Sequence, residues 1–436
     1  MVIDFSSVIF QYNFVLFKSC RRGVVGKETL VKIAIVGAGA SGIFCATNLD
    51  EHFDITIFEA QSAPLKKLLL TGGGRCNFTN LNIDTLPPKD FYPRGAGNLR
   101  KPLKRFSAKA IIDFFENRGV KTKVEDEGRV FPVSDKSTTI ANALLKNVRQ
   151  KIVCNSPIVS IKKNGDIFEL QPANESPKKF DVVIFAVGGR WFEALKNQLQ
   201  ELEHCFLPEI PSLYALSLDC ANLDDWKSGT TIPCATISAD FDGKKVSASG
   251  ALLLTHFGIT GPATLKFSAF SAEELYAKNY NSKININFVS IREDKVAEFF
   301  KIARQKEPKK LIKNFCPFEL PLAFWQSVVE KSEIADTTTY ANLSKATEAK
   351  ITKILTNFEC SIIGKSPSKG EFVTCGGVDC KDVDFSSMQS RKVQNLFFLG
   401  ECLNIDAITG GYNLHSAWTT AHICSEYLNK TYNFKI

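Results

Sequence analysis

The segment VKIAIVGAGASGIFCATNL, residues 31–49, constrains the fold more than any other stretch of the chain. It opens with an unbroken apolar run, Ile33 to Val36, which reads as a strand buried on both faces of a parallel sheet. Gly37, Gly39 and Gly42 follow as G-x-G-x-x-G, and the residues after them read as a helix. At this spacing the first glycine permits a tight turn, the second lets a pyrophosphate approach the backbone, and the third lets helix and strand pack. A diphosphate would rest on the helix N-terminus, with Ser41 among the candidate contacts. FDITIFEA then supplies a second apolar strand ending in Glu59, 22 positions after Gly37. An acid there accepts hydrogen bonds from the ribose hydroxyls of an adenosine and repels a 2′-phosphate.

The fingerprint alone does not separate NAD from FAD, and later segments decide. PIVSIKKNGDIFEL alternates on both sides of Asn164-Gly165, a strong hairpin signal, with Ile158 as a further candidate contact. KFDVVIFAVGGR is another buried strand, and it ends in Ala186, Gly188 and Gly189 at the ligand edge of a parallel sheet. Far downstream, NLFFLGECLNIDAITGGYNLHSAW repeats the logic: strand, Gly400-Glu401, loop, Gly410-Gly411, then a helix beginning near Asn413 and Leu414. A helix N-terminus carries partial positive charge, which stabilises the negative charge a reduced flavin develops at N1 and the C2 oxygen. A nucleotide site assembled from both ends of a chain implies one domain interrupted by insertions, and this favours FAD.

TGGGRCNFTN, residues 71–80, is the second glycine-rich stretch. Gly73 and Gly74 allow close backbone approach to the flavin, and Arg75 offers a charged donor to the cofactor or an anionic substrate. Cys76 has no neighbouring cysteine at redox spacing, so a packing role is expected and a thiolate role is the sharper alternative. Asn77 and Asn80 are expected to fix the loop through Asx-type bonds. His256, in the loop of LLLTHFGITGP, is the candidate proton donor, and Arg75 is the other candidate for chemistry.

VGAGASG, TGGGRCNFTN, GRVFP, LLLTHFGITGPATLKFS, VTCGGV and GECLNIDAITGGYNLHSAW together resemble a family of bacterial FAD-dependent flavoproteins. That family includes aminoacetone-oxidase-like and BaiN-type reductase members, and the resemblance covers about Lys32 to Leu428. It implies an α/β fold with a discontinuous Rossmann-like FAD-binding domain and inserted β-barrel-like and small helical domains. It also implies FAD held by Gly37, Gly39, Gly42, Glu59, the run Gly73, Gly74, Arg75, Cys76 and Asn77, and Gly400, Glu401, Gly411, Asn413 and Leu414. Family members often carry aspartate where this chain has Asn404, so a role resting on charge at that position does not carry over.

The resulting domain expectation is residues 32–205 and 370–436 for the FAD-binding domain. It assigns 206–290 and about 359–369 to the barrel-like insert, and 291–358 to a lysine-rich helical lid. Residues 1–31 are read as a disordered or misassigned extension: Gln11 and Asn13 interrupt its apolar patch and its only early charge is Asp4. No apolar stretch reaches the roughly 20 residues of a membrane-spanning helix. Thirteen scattered cysteines with no C-x-x-C argue for reduced thiols and a cytoplasmic protein. Five histidines offer no metal-ligand spacing beyond His415 with His422, so no metal is expected.

The leading function is an FAD-dependent oxidoreductase that moves a hydride between a small organic substrate and flavin N5, with NAD(P)H as a possible transient donor. Oxidase and NAD(P)H-dependent reductase both stay open. Basic clusters at Leu99–Lys109 and Lys301–Lys313 keep a flavin-dependent RNA-modifying enzyme as an alternative, although such clusters are usually solvated faces and nucleic acid is not the expected partner. A flavin-binding protein without turnover is the third reading.

Overall fold

The computed structural model describes residues 30–146, 148–219, 226–366 and 373–432. The expectation for residues 1–31 therefore falls almost entirely outside the described residues. Strand β1 (Val31–Val36) lies in a seven-stranded sheet, and its residues Ile33 to Ile35 are fully buried. It pairs in parallel with β2 (Phe53–Phe58) on one side and with Val182–Phe185 on the other. Leu396–Phe398 adds in parallel to Val182–Phe185, and Lys151–Val153 adds in parallel to β2. Two short strands, Val383–Asp384 and Gln389–Ser390, close one edge antiparallel. The strand sequences lack alternation because both faces are covered, by helices and by the three-stranded antiparallel sheet Ile158–Asn164, Ile167–Pro172 and Lys178–Phe180, which packs against β1 and Val182–Phe185. Helix α1 (Ala40–Asn48) and the long C-terminal helix Tyr412–Thr431 pack together on this sheet.

The insert begins where Phe206–Ser212 pairs antiparallel with Val373–Val378. Beyond that pair, Leu216–Asp219, Gly258–Thr260, Lys244–Thr255, Thr231–Phe241, Ser282–Asn287 and Phe358–Lys365 close a six-stranded barrel. The sequence reading put residues 206–212 inside the barrel, whereas the structure uses them as the strap joining barrel to nucleotide domain. The Asp242-Gly243 turn stands where the alternation placed it, with both residues at positive φ, as a two-residue hairpin of this hand requires. The upstream hairpin turns one residue later than expected, at Gly165-Asp166, because Asn164 still pairs with Ile167.

Helices Glu293–Lys306, Leu322–Lys331 and Lys345–Thr356 form the lysine-rich segment 291–358. Their buried faces, among them Phe300, Trp325 and Ile351, share one apolar core with barrel residues such as Ile237 and Ile284. The helices are anchored on the barrel-like insert by aromatic contacts such as Trp226 on Phe324. No helix among the described residues is long and apolar enough to cross a membrane.

Candidate functional site

The ends of the parallel strands gather the glycine-rich turns. Gly37 has φ +109°, and a Cβ there would stand 2.3 Å from the Ala186 carbonyl oxygen. Gly42 is as tight: a Cβ there would stand only 2.0 Å from the Gly37 oxygen, so α1 and the turn touch backbone to backbone. Gly39 differs: nothing lies within 4 Å of where its Cβ would be. Two glycines close-packed and the middle one facing open space is the arrangement a pyrophosphate needs at a helix N-terminus. Glu59 follows β2 with one carboxylate oxygen accepting from Ala38 N–H and the other from Gln61 N–H, both at 2.8 Å. A carboxylate has lone pairs beyond these two, so ribose hydroxyls can still donate to it. Ser41 is buried in the first turn of α1 with its Oγ against Gly400. Ile158 lies in the core, 1 % exposed.

Glu401 stands opposite Gly189, in the short turn after Leu396–Phe398. Its Oε1 accepts from Thr374 N–H at 3.1 Å and its Oε2 from Lys67 Nζ at 2.6 Å. Any side chain at 189 would meet Thr374 at 2.8 Å and the Glu401 carboxyl at 3.2 Å. Gly189, Thr374 and Glu401 therefore form one wall, beside the Ala186 and Gly188 strand end.

The loop 71–77 completes the group. Gly72, Gly73 and Gly74 all take the left-handed region, with φ +57°, +67° and +85°, and Cβ positions at Gly73 and Gly74 would meet nothing within 4 Å. These two residues present bare backbone to open space. Asn77 Oδ1 is buried without a hydrogen-bond donor among the described residues. It lies 2.8 Å from where a Gly411 Cβ would be, next to the N-terminus of helix Tyr412–Thr431. The Asn413 side chain ties the preceding loop by exchanging two bonds with Ala407, and the first-turn N–H groups, including that of Leu414, have no intrahelical acceptor. An unsatisfied buried acceptor beside free helix N–H groups suits a flavin ring edge, which carries both donors and acceptors. These residues fit FAD.

Three expectations change here. Asn80 does fix the loop, accepting from Asn82 N–H and donating to Gly410 and Glu127 carbonyls, but Asn77 makes no such Asx bond. Arg75 turns away from the glycines: it pairs with Glu125 and Asp135 and lies over the Phe131 ring. Its charge is already neutralised, so it is not a free cation for an anionic substrate. Cys76 is fully buried, and burial pushes its thiol up to about 12, so it stays protonated and gives no thiolate. His256 is exposed at the tip between Lys244–Thr255 and Gly258–Thr260, with its described ring contact to Phe257. It sits on a turn of the barrel.

Sequence reasoning missed a second cluster. Arg94 holds Asp406 through both Nε and Nη2 and also donates to the Ala269 carbonyl, while Ser212 Oγ donates to Asp406 at 2.7 Å. Asp406 is fully buried, in the loop between Glu401 and the C-terminal helix. One ion pair thus ties the strap, the barrel side and that loop together. No local pattern signals it, because its two members stand 312 residues apart.

His415 lies under the loop, fully buried between Thr79 Oγ1 at 2.8 Å and the Phe106 carbonyl at 3.0 Å. Burial pushes its pKa down to about 4. An unfolded histidine titrates near 6.5, so below about pH 6.5 the unfolded chain takes a proton that the folded chain refuses until about pH 4. Stability contributed by the neutral ring is whole above that window and falls as pH drops through it, by up to about 3 kcal/mol. Urea unfolding at pH 7 and pH 4.5 is expected to show a smaller loss for His415→Gln than for wild type. Equal losses would mean that the ring is not held neutral.

A family model described as the HI0933-like protein Rossmann domain matches residues 31–427. A ribosomal RNA dihydrouridine synthase of Haemophilus influenzae is 28% identical over 412 residues, spanning 90% of this chain and 96% of that protein. A protein of the same description from Escherichia coli is 25% identical over 407 residues, spanning 90% and 97%. A 3-dehydro-bile acid delta(4,6)-reductase of Clostridium scindens is 26% identical over 407 residues, also spanning 90% and 97%.

Proposed function

The chain belongs to the HI0933-like Rossmann family and is an FAD-dependent oxidoreductase, and from that premise we propose that it is a reductase saturating a carbon–carbon double bond conjugated to a carbonyl group. The flavin part of this reading is carried by the orphaned Asn77 acceptor beside the N-terminus of helix Tyr412–Thr431, and its direction by the kind of reaction that the relatives' descriptions share. A positive helix end beside the site favours a cofactor that is negatively charged when reduced. Bound FAD would supply the hydride at N5.

The chain's own residues bind, orient and exclude. Gly37, Gly39 and Gly42 cradle the diphosphate, Glu59 takes the ribose, Glu401 with Gly189 borders the linker, and Gly73, Gly74 and Asn77 receive the ring. Burial pushes the thiols of Cys76 and Cys375 up to about 12 and that of Cys402 further in the same direction, so none of these three offers a thiolate. Direct hydride transfer fits such a site. The relatives agree in kind: forming dihydrouridine and reducing a delta(4,6) bile acid both saturate carbon–carbon double bonds.

The test is an absorbance spectrum followed by anaerobic titration with NADH and NADPH. Bands at about 370 and about 450 nm that bleach with either nucleotide are the expected result. Bands that persist would overturn the reductase reading in favour of an oxidase or dehydrogenase.

A second reading takes uridine in RNA as substrate. It is favoured by the two synthase relatives and by exposed Arg100, Lys101 and Lys104 on helix Ala96–Arg105. RNA binding that weakens steeply between about 50 and 200 mM salt would support it, and no binding at low salt would dismiss it.

A further inference from the structure

The motif GRVFP, residues 128–132, has so far had no part in holding a cofactor, yet its Phe131 packs against the glycine-rich loop. A Cβ at Gly72 would stand 3.4 Å from the Phe131 ring, and the Arg75 guanidinium lies 4.1 Å from the centroid of the same ring. From there Arg75 reaches two acids: Nε and Nη2 stand 2.8 and 2.7 Å from Asp135 Oδ1, and Nη2 also meets Glu125. Lys123 Nζ closes the group, 2.6 Å from Asp135 and 3.1 Å from Glu125. Two cations thus face two anions. A lone exposed ion pair contributes little, whereas a two-point arginine contact inside a network of charges keeps its geometry. The loop beside it has much to lose without such an anchor: Gly72, Gly73 and Gly74 are all left-handed, and Cys76, which is no glycine, also has a φ of +62°. Three glycines in a row give the free chain many other conformations, and selecting one of them costs entropy.

We infer that Arg75 is a positioning residue for the flavin ring: anchored on Phe131, Glu125 and Asp135, it holds the backbone of Gly72 to Gly74 in the one form that receives the ring, without itself touching the cofactor. The inference rests on the flavin reading of the site. Arg75 directly follows the three glycines, so its side chain fixes the end of the run that its backbone closes, with Arg75 N–H donating to the Gly72 carbonyl at 3.3 Å. The anchor stands on the small sheet of Thr79–Asn80, Thr122–Glu125 and Arg129–Pro132, which gives the loop a rigid base outside the seven-stranded sheet. Its effect is therefore confined to the flavin end of the cofactor. The adenosine diphosphate end lies on Gly39 and Glu59, which other elements hold in place.

Arg75→Met makes the discriminating variant, because it leaves an apolar stem over Phe131 and removes every ion pair. Calorimetric titration of the deflavinated full-length protein is expected to show FAD binding about tenfold weaker in Arg75→Met than in wild type, as it would be if the receptive loop fell to about one molecule in ten. ADP, which carries no flavin, is expected to bind both proteins equally. Arg75→Lys keeps the charge without the two-point contact, and its FAD affinity is expected between the two. FAD affinity in Arg75→Met within about twofold of wild type, or FAD and ADP weakened alike, overturns the inference. If Arg75→Met does not fold, the same pair of titrations on Arg75→Lys decides: weaker FAD with unchanged ADP supports the inference, and any other result overturns it. A wild-type protein that takes ADP but no FAD would instead fail the flavin reading, and that is measured before any variant is made.

Discussion

A Gly39→Leu variant purifies folded and colourless, while Gly42→Ala fails to reach a stable fold. The two glycines are three positions apart in one fingerprint, yet their surroundings are opposite. Gly39 has an ordinary φ of −78° and open space where a side chain would project, so the folded chain tolerates leucine at a cost of about 1 kcal/mol or less. The same leucine fills the approach to the first turn of α1, and the diphosphate has nowhere to lie. At Gly42 even a methyl group would stand 2.0 Å from a backbone oxygen that cannot yield, and a cost above about 3 kcal/mol is expected. The ratio of flavin to protein absorbance, with a thermal melt of the same sample, separates the two outcomes. Stoichiometric flavin in Gly39→Leu would remove the cofactor from this helix end.

Arg94→Met lowers stability by about 3–5 kcal/mol, read as a fall in the urea midpoint, because it strands the fully buried Asp406 carboxylate. Ser212 remains as its hydroxyl donor, which does not offset an unpaired buried charge. The double variant Arg94→Met/Asp406→Leu is expected to recover part of the loss, since removing both charges also removes the desolvation they suffer. If the double variant is no more stable than the single, the pair is not acting as a coupled charge.

The strand, turn and helix around Gly37 were legible because their constraints are local. A period, a glycine spacing and an acid 22 positions on report the backbone of one unit. The Asp242-Gly243 turn was legible for the same reason. Asn77 and Asn80 show where this stops: both are loop asparagines in one short stretch, and which one is tied down depends on Gly410, 330 residues downstream of Asn80. Arg75 could not be assigned either, since Glu125 and Asp135 meet it only through a small sheet formed by Thr79–Asn80, Thr122–Glu125 and Arg129–Pro132. The Arg94 and Asp406 pair lies wholly beyond local pattern, because Arg94, Ser212, Ala269 and Asp406 come from four separate parts of the chain.

The order of the sheet has a consequence for how the protein is made. Val182–Phe185 has β1 on one side and waits for Leu396–Phe398 on the other, so its second edge stays open while about 200 further residues emerge from the ribosome. At ordinary elongation rates that is on the order of 10–40 seconds. During that interval the barrel and its three helices, which close on themselves with no free edge, can mature independently, while the nascent nucleotide domain carries an apolar strand that invites pairing with other chains. Chains cut short before residue 398 leave that edge permanently uncovered, so C-terminal truncations are expected to yield inclusion bodies rather than trimmed flavoproteins.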